Sequence, residues 1–220
     1  MSIDTLNLSR MHFPVTTLGP GKRIGVWFQG CSLQCPGCIS VDTWKRGKGR
    51  IALNEIYTQI DSWASKANGI TISGGEPFEQ FEALKLILGY IKRNYSNLSV
   101  LVYSGFSFES LREKLGELEG LIDALISEPF QQSNPSSHPW MGSANQKLHL
   151  LSPCAEQEFS GVQTVIKQPA NKVDAMFKED QLWMSGILKQ GGLEKLAEHL
   201  EKQGHKIIHT QHSGRNTKRI

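Results

Sequence analysis

The sequence has few cysteines, no long apolar run and little net charge. Four cysteines in 220 residues are too few for a fold held together by disulfides, and they indicate a reducing compartment. No apolar stretch approaches the roughly 20 residues that a membrane-spanning helix needs, and residues 1–14 lack the apolar run of a targeting segment. We therefore expect a soluble, cytoplasmic protein with no membrane partner.

The modest charge argues against a nucleic-acid partner. The formal net charge is +3. Residues 206–220 are basic, but they lack the interleaved aromatic residues of single-strand binders. We therefore expect a solvated tail there. With 39% hydrophobic residues, a chain of this length can bury one sizeable core, which indicates a single domain.

What the sequence does have is three closely spaced cysteines, Cys31, Cys35 and Cys38, in a C-x3-C-x2-C arrangement. Thiolates are preferred protein ligands of iron–sulfur clusters, and a cubane has four irons, so three cysteines leave one iron open to another ligand. One alternative is a closed zinc site with a histidine as the fourth ligand. Disulfides fit this spacing less well. Cys154 lies far from the triplet in sequence, and we interpret it as an ordinary thiol.

Short β-forming runs alternate with segments of helical periodicity through the first half of the chain. The predicted strands are 23–28, 69–72, 99–103 and 121–126, and the predicted helices are 53–65, 80–93 and 108–115. Right-handed crossovers place the carboxyl ends of parallel strands at one edge of a sheet. Four segments should therefore converge on one pocket, namely the cysteine loop and the residues around 74–76, 104–105 and 127–128.

Beyond residue 127 the pattern changes. Residues 128–146 are too polar for a core and too long for a simple connector, which indicates a lid or binding loop. After it we predict a strand over 147–151, an antiparallel pair over 162–167 and 181–187, an amphipathic helix over 193–202 and a last strand over 206–209.

The cysteine triplet followed by Gly74, Gly75, Glu76 and Pro77 after a strand resembles the radical S-adenosylmethionine superfamily. Alone, the second motif could be only a turn and a helix start, because proline and acidic residues are common there. Within the superfamily, four further segments resemble the activating enzymes of anaerobic ribonucleotide reductase. They are Gly-Pro-Gly-Lys-Arg at 19–23, Cys-Pro-Gly-Cys at 35–38, Thr-Trp at 43–44 and Trp-Met-Gly-Ser-Ala-Asn-Gln at 140–146.

The resemblance implies a set of site residues and no catalytic residue beyond the cofactors. Three thiolates would hold a 4Fe-4S cluster whose open iron chelates S-adenosylmethionine. An ammonium needs acceptors, and glycines let backbone carbonyls come close. Ser104 has a second interpretation, because with Gly105 it could form only a strand-ending turn. The implied residues are the ligands Cys31, Cys35 and Cys38; Gly37, Cys38 and Ile39 beside the nucleotide; Gly74, Gly75 and Glu76 at the methionyl ammonium; and Ser104 as a further cofactor-binding residue.

The resemblance also implies a fold and partners. The expected fold is α/β, an incomplete (β/α) barrel of about five to six mostly parallel strands. Residues 11–155 would form the radical core, 156–210 a C-terminal extension packed on it, and 211–220 a disordered basic tail. The implied reaction cleaves S-adenosylmethionine to a 5′-deoxyadenosyl radical, which would install a glycyl radical on a partner enzyme. A flavodoxin- or ferredoxin-type protein would supply the electron.

Two alternative functions remain open. One is a small-molecule radical enzyme similar to the deazapurine synthases, and the other is a non-catalytic iron–sulfur or zinc protein. Two positions also depart from the activase pattern. Ser127, Glu128 and Pro129 replace an Asp-Gly pair, and Met141 replaces an arginine, so partner or nucleotide contacts are expected to differ.

Overall fold

The computed structural model describes residues 4–159, 173–178, 181–186 and 192–204. These residues form nine strands: β1 (Thr5–Val15), β2 (Arg23–Phe28), β3 (Arg50–Ala52), β4 (Gly69–Gly74), β5 (Ser99–Tyr103), β6 (Ala124–Ser127), β7 (Lys147–Leu150), β8 (Val173–Lys178) and β9 (Gln181–Gly186). They also form five α-helices: α1 (Leu53–Ala64), α2 (Phe81–Asn94), α3 (Arg112–Glu117), α4 (Pro153–Phe159) and α5 (Gly192–Lys202). No helix in these ranges is long and apolar enough to cross a membrane.

Seven strands form one mixed sheet in the order β3-β1-β2-β4-β5-β6-β7. The four central strands β2, β4, β5 and β6 are parallel, whereas β1, β3 and β7 pair antiparallel at the two sides. The predicted succession of β/α units is therefore present. The incomplete barrel remains a prediction, which we keep as a proposal for this sheet.

The core lies between the sheet and its helices. Every residue of β2 is buried, as expected for a central parallel strand that is covered on both faces. In α2, apolar residues recur at helical spacing and turn one face to the sheet, namely Ala83, Leu84, Ile87, Leu88 and Ile91. They belong to the same buried cluster as Ile24, Val26 and Phe28 of β2. This packing fixes the position of the carboxyl end of β2, where the cysteine loop begins.

Arg23 lies at the amino end of β2, on the side of the sheet away from the cysteine loop, and its side chain is fully buried. Its guanidinium donates to the Thr71 hydroxyl at 2.7 Å and to the Ser99 hydroxyl and carbonyl, both at 2.9 Å. An added Cβ at Gly69 would come within 2.4 Å of this guanidinium. The Gly-Pro-Gly-Lys-Arg motif thus ties the amino ends of β2, β4 and β5 together, far from the cysteine loop.

Several elements differ from the predicted ones. Strands β1, β3 and β8 were not predicted. The helix expected over 108–115 is a single-turn helix at Glu109–Leu111 followed by α3. The predicted strands 162–167 and 206–209 lie outside the described residues, and β9 pairs antiparallel with β8.

The hairpin of β8 and β9 packs against β1, β2 and the two threonines that follow β1. The Asp174 carboxylate accepts four hydrogen bonds, from the backbone N–H groups and hydroxyls of Thr16 and Thr17, at 2.7 to 3.0 Å. The Arg10 guanidinium lies over two indole rings, 5.3 Å from the centroid of Trp27 and 4.7 Å from that of Trp183. The hairpin is therefore joined to this part of the chain by the hydrogen bonds of the Asp174 carboxylate and by the stacking of Arg10 on two indole rings.

Candidate functional site

The cysteine loop begins where β2 ends, and its two ends are held together by backbone hydrogen bonds. Gly30 N–H donates to the Thr43 carbonyl at 2.7 Å, and Cys31 N–H donates to the Trp44 carbonyl at 3.1 Å. The Gln29 side chain reinforces the closure by donating to the carbonyls of Asp42 and Lys45 at 3.1 and 2.8 Å. All three cysteines of the triplet therefore lie within a closed loop at the carboxyl edge of the parallel strands.

The three thiols are free and partly buried, and hydrogen-bond donors lie near two of them. Burial raises the pKa of Cys31, while N–H groups of Gln34 and Leu33 donate to its sulfur and oppose the rise. Burial also raises the pKa of Cys38, opposed by donors from the Ser40 backbone and the Trp44 side chain. Such donors stabilise thiolates and tune iron–sulfur clusters, so this loop fits the cluster chemically.

The three thiols of the triplet lie close to one another. The Cys38 thiol is near enough to Cys35 and Cys31 for their charges to raise its pKa further. Within the described ranges, no three His, Cys, Asp or Glu side chains are arranged to hold a single metal ion. A closed zinc site needs four ligands around one ion, whereas three thiolates on separate irons would hold a cubane and leave its fourth iron open.

The loop after β4 lies directly against the start of the cysteine loop. Gly75 N–H donates to the Phe28 carbonyl, and Glu76 N–H donates to the Gly30 carbonyl, both at 2.8 Å. An added Cβ at Gly75 would lie 2.1 Å from the Gly30 oxygen, and Gly74 has a φ of +103° with equally little room. Glycine is therefore required at both positions by this close approach.

Glu76 is a buried carboxylate, 1% exposed, at the centre of the predicted pocket. Its Oε1 accepts from Phe78 N–H at 3.0 Å and from the Ser104 hydroxyl at 2.9 Å, and its Oε2 accepts from Gly105 N–H at 2.8 Å. Burial raises its pKa to about 7, although these hydrogen bonds oppose the rise. Each carboxylate oxygen has two lone pairs, so among the described donors Oε2 keeps one acceptor position for a ligand ammonium.

Glu79 binds the same loop from outside. Its Oε1 accepts from the backbone N–H of Ser32 at 2.8 Å and from the Ser32 hydroxyl, and its Oε2 pairs with Arg46 at 2.6 Å. Burial acts to raise the pKa of Glu79, but the Ser32 hydrogen bonds and Arg46 outweigh it and lower the pKa. An ionised Glu79 therefore fixes the residue next to Cys31.

The other predicted cofactor residues lie around this centre. Ser104 is buried, and its hydroxyl donates to Glu76 and accepts from Phe106 N–H. Its described contacts therefore position Glu76. Gly37 is exposed with a φ of +77°, and the Gln132 side chain lies where its Cβ would be. Ile39 is 42% exposed, which leaves a large apolar side chain open to a ligand next to the partly buried Cys38.

The strand-end segments converge as predicted. Ser104 N–H donates to the Ile126 carbonyl at 2.9 Å, and Glu128 N–H donates to the Phe106 carbonyl at 3.0 Å. Together with the Glu76 contacts, these bonds connect the ends of β2, β4, β5 and β6. Ser127, at a position that departs from the activase pattern, is fully buried, and its hydroxyl bonds to His149 at 2.9 Å.

Residues 128–146 are held by their own side chains. The Gln146 side chain accepts from the N–H groups of Gly142 and Ser143 at 2.8 and 3.2 Å, and the Ser143 hydroxyl accepts from Gln131 N–H at 3.1 Å. Trp140 and Met141 are buried against the sheet face opposite α2. The 140–146 segment of the activase resemblance thus holds this loop in place, and Met141 fills an apolar position within it.

Three contributors to the site were missed in the sequence. Glu79 is not among the site residues expected from the sequence, although a carboxylate three residues after Glu76 is a visible signal. Trp44 stands out in the sequence only within the Thr-Trp segment that resembles the activases, yet its side chain lies close enough to Cys38 to oppose the rise in the pKa of that thiol. Arg46 has no local signal, because its role depends on Glu79, which is distant in sequence.

Cys154 is exposed at the start of α4. It lies two residues after Ser152, which bonds to Asp123 at the amino end of β6.

The chain is similar to known activating enzymes. It is 29% identical over 149 residues to the anaerobic ribonucleoside-triphosphate reductase-activating protein of Escherichia coli, covering 64% of this chain and 96% of that protein. The corresponding protein of Enterobacteria phage T4 is 26% identical over 134 residues, covering 59% and 85%. The pyruvate formate-lyase-activating enzyme of Listeria monocytogenes is 32% identical over 130 residues, covering 56% and 52%.

The match to a family model covers the whole of the site just described. The 4Fe-4S single cluster domain matches residues 17–149. This range contains the cysteine loop, the Gly-Gly-Glu loop and the 128–146 segment, and it ends before the hairpin of β8 and β9. The chain therefore belongs to the 4Fe-4S single cluster domain family and is a radical S-adenosylmethionine enzyme of the activase type.

Proposed function

We propose that the protein installs a glycyl radical on a partner enzyme such as an anaerobic ribonucleotide reductase, with Cys31, Cys35 and Cys38 as the cluster ligands. One observation carries the proposal. The Gly-Gly-Glu loop is hydrogen-bonded to the residues that begin the cysteine loop, through Gly75 to Phe28 and Glu76 to Gly30. A molecule chelated at an open iron beside Cys31 would then lie within reach of Glu76.

The bound cluster, once reduced, supplies the electron that splits S-adenosylmethionine into methionine and a 5′-deoxyadenosyl radical. The chain's own share is to bind and orient. Glu76 and the carbonyls of Gly74 and Gly75 accept the methionyl ammonium, while Gly37 and Ile39 flank the nucleotide. The N–H donors around Cys31 and Cys38 stabilise the thiolates. Burial of Glu76 excludes water from the ammonium site.

The relatives support the partner assignment, since two of them are named for activating an anaerobic ribonucleoside-triphosphate reductase. The 128–146 loop lies against the cysteine loop, with the Gln132 side chain beside Gly37, and this contact supports a role for the loop where a glycine would enter. We propose a flavodoxin- or ferredoxin-type donor for the electron. A reducing cytoplasm suits the free thiols.

The test is anaerobic reconstitution with iron and sulfide, followed by dithionite reduction in the presence of S-adenosylmethionine. We expect an electron paramagnetic resonance signal of the reduced cluster, which S-adenosylmethionine changes, and release of 5′-deoxyadenosine that Cys35→Ala abolishes. Cys154→Ala is the matched control and should keep both. A fully loaded cluster that neither binds nor cleaves S-adenosylmethionine would overturn the proposal.

The glycyl radical needs a second experiment. The reduced enzyme is mixed with S-adenosylmethionine and an anaerobic ribonucleotide reductase, and the doublet signal of a glycyl radical is measured. A signal on the reductase that requires intact Cys35 supports the assignment. Cleavage of S-adenosylmethionine without any protein radical would instead favour a small-molecule substrate.

A further inference from the structure

A groove of about 480 Å³ opens beside the first residue of the cysteine loop. It is lined by Gly30 at the end of β2, by Arg46 beyond the loop and by Lys114 of α3, together with the aromatic rings of Phe81 and Phe106. Gly30 is shared with the cofactor site, but the lining includes none of the predicted cofactor-binding residues. The groove is therefore distinct from the predicted cofactor site, although it reaches the backbone at Gly30, next to Cys31.

A basic segment borders this groove. Lys45, Arg46, Lys48 and Arg50 are four cationic residues within six positions, and all are exposed. The segment is anchored at both ends. Residues 43 and 44 accept hydrogen bonds from the start of the cysteine loop, and the Gly49 carbonyl accepts from Leu8 N–H at 2.8 Å. The positive charge is thus presented at a fixed place.

The groove itself is also positive. Lys114 donates to the Phe78 carbonyl at 3.1 Å, with its ammonium 5.3 Å from the centroid of Phe81. The Arg46 side chain is 67% exposed even though it pairs with Glu79. The groove lining and the basic segment together present five cationic side chains and the single carboxylate of Glu79. A field of one sign on an exposed surface attracts a partner of the opposite sign and speeds its encounter.

We propose that the groove and the basic segment form the docking surface for the enzyme's one-electron donor, an acidic carrier protein. The inference rests on the proposed function, because only a redox enzyme needs such a donor. One electron leaves the reduced centre of the carrier and enters the oxidised cluster, with no bond made or broken. The carrier would sit on backbone that is hydrogen-bonded directly to Gly30 and Cys31. Electron-transfer complexes have small, transient interfaces, which suits a charged segment beside a shallow groove.

The experiment measures binding as well as turnover. An acidic flavodoxin and an acidic ferredoxin serve as probes against the cluster-loaded enzyme, and calorimetry gives the dissociation constant at several salt concentrations. The double variant Lys45→Glu with Lys48→Glu should weaken binding roughly tenfold or more at low salt and flatten the salt dependence. The rate at which the enzyme oxidises the reduced carrier should fall in parallel.

The matched control reverses two exposed lysines at the other end of the sheet, Lys22→Glu with Lys66→Glu. It makes the same change in net charge, so it should leave the dissociation constant within about twofold if docking is local. Equal weakening by both double variants, or no binding of either probe to the wild type, would overturn the docking surface. Iron content checks cluster loading. Failure of the wild type to cleave S-adenosylmethionine with dithionite would overturn the proposed function instead.

Discussion

The Glu76 carboxylate accepts a hydrogen bond from the backbone N–H of Gly105 at 2.8 Å. This bond joins the loop after β4 to the loop after β5 inside a region that excludes water. The same carboxylate also accepts from Phe78 and Ser104, so it determines how two strand ends face the cysteine loop. A single buried group therefore serves the fold and, in our proposal, the cofactor.

Glu76→Gln tests the second of these roles. The amide has nearly the shape of the carboxylate but lacks its charge, so it cannot neutralise an ammonium. We expect the affinity for S-adenosylmethionine to fall roughly tenfold or more, because hydrogen bonds to charged groups are worth about 1.5 to 3 kcal/mol. Equilibrium dialysis on the reconstituted enzyme measures it. The control is Glu82→Gln on an exposed position of α2, and a Glu76→Gln affinity equal to that of this control would contradict the assignment.

The same carboxylate predicts a pH dependence of stability in the cluster-free protein. Burial raises the pKa of Glu76 from 4.5 to about 7, so between these values this carboxyl binds more protons in the folded chain than in the unfolded chain. Its contribution to the free energy of unfolding should therefore fall as pH rises through this range, by about 3 kcal/mol. The lowered pKa values of His12, His138 and His149 act in the opposite direction, so the Glu76 contribution is the difference between the wild type and Glu76→Gln. Denaturant unfolding at pH 5 and pH 7.5 measures the change. Glu76→Gln should lack this contribution, and an unchanged slope in that variant would show that other groups cause it.

The close approach of the two loops predicts that Gly75→Ala is damaging. Its Cβ would lie 2.1 Å from the Gly30 oxygen, so the backbone must move, at a cost of about 2 kcal/mol or more. We expect a lower unfolding midpoint and reduced iron incorporation. Gly116→Ala is the control, since nothing lies within 4 Å of its Cβ, and alanine in a helix should stabilise by about 0.5 to 1 kcal/mol. Equal iron content in both variants would argue against a link between this contact and the cluster site.

Much of the fold was predictable because its signals are local. Buried parallel strands give short apolar runs, and amphipathic helices give a period of 3.6 residues. The ends of β2, β4, β5 and β6 could therefore be placed at one edge. Strand β1 was missed because its apolar alternation changes phase at Arg10, where its register with β2 also shifts, and its pairing with β2 and β3 depends on distant residues. Three-residue β3 has too short a pattern to detect.

The features of the site also differ in whether the local sequence predicts them. The cysteine triplet and the Gly-Gly-Glu loop are each a short run of sequence. The spacing of the cysteines indicates a cluster, and the role of the Gly-Gly-Glu loop is what the family resemblance implies. The contacts that hold them are distant in sequence. Glu79 reaches back to Ser32 across 47 residues, and the Trp44 side chain reaches Cys38. Such contacts leave no periodic pattern, and only the folded chain identifies them.

The last prediction concerns the hairpin of β8 and β9, which lies outside the segment matched by the family model. Its Asp174 carboxylate accepts all four hydrogen bonds from Thr16 and Thr17, and these bonds lower its pKa despite partial burial. Asp174→Asn removes the charge, and its amide presents one acceptor oxygen in place of two. We expect the docking to weaken by about 1 to 2 kcal/mol.

Hydrogen exchange over residues 173–186 measures this change, and Glu198→Gln on exposed α5 is the control. Arg10 joins the hairpin to the cysteine loop, because it stacks on Trp183 and pairs with Asp42 in the turn after that loop. Asp174→Asn should therefore also speed exchange at residues 41–44. Faster exchange confined to the hairpin would show that Arg10 stays bound to Asp42 without it, and that the hairpin does not support the cluster loop.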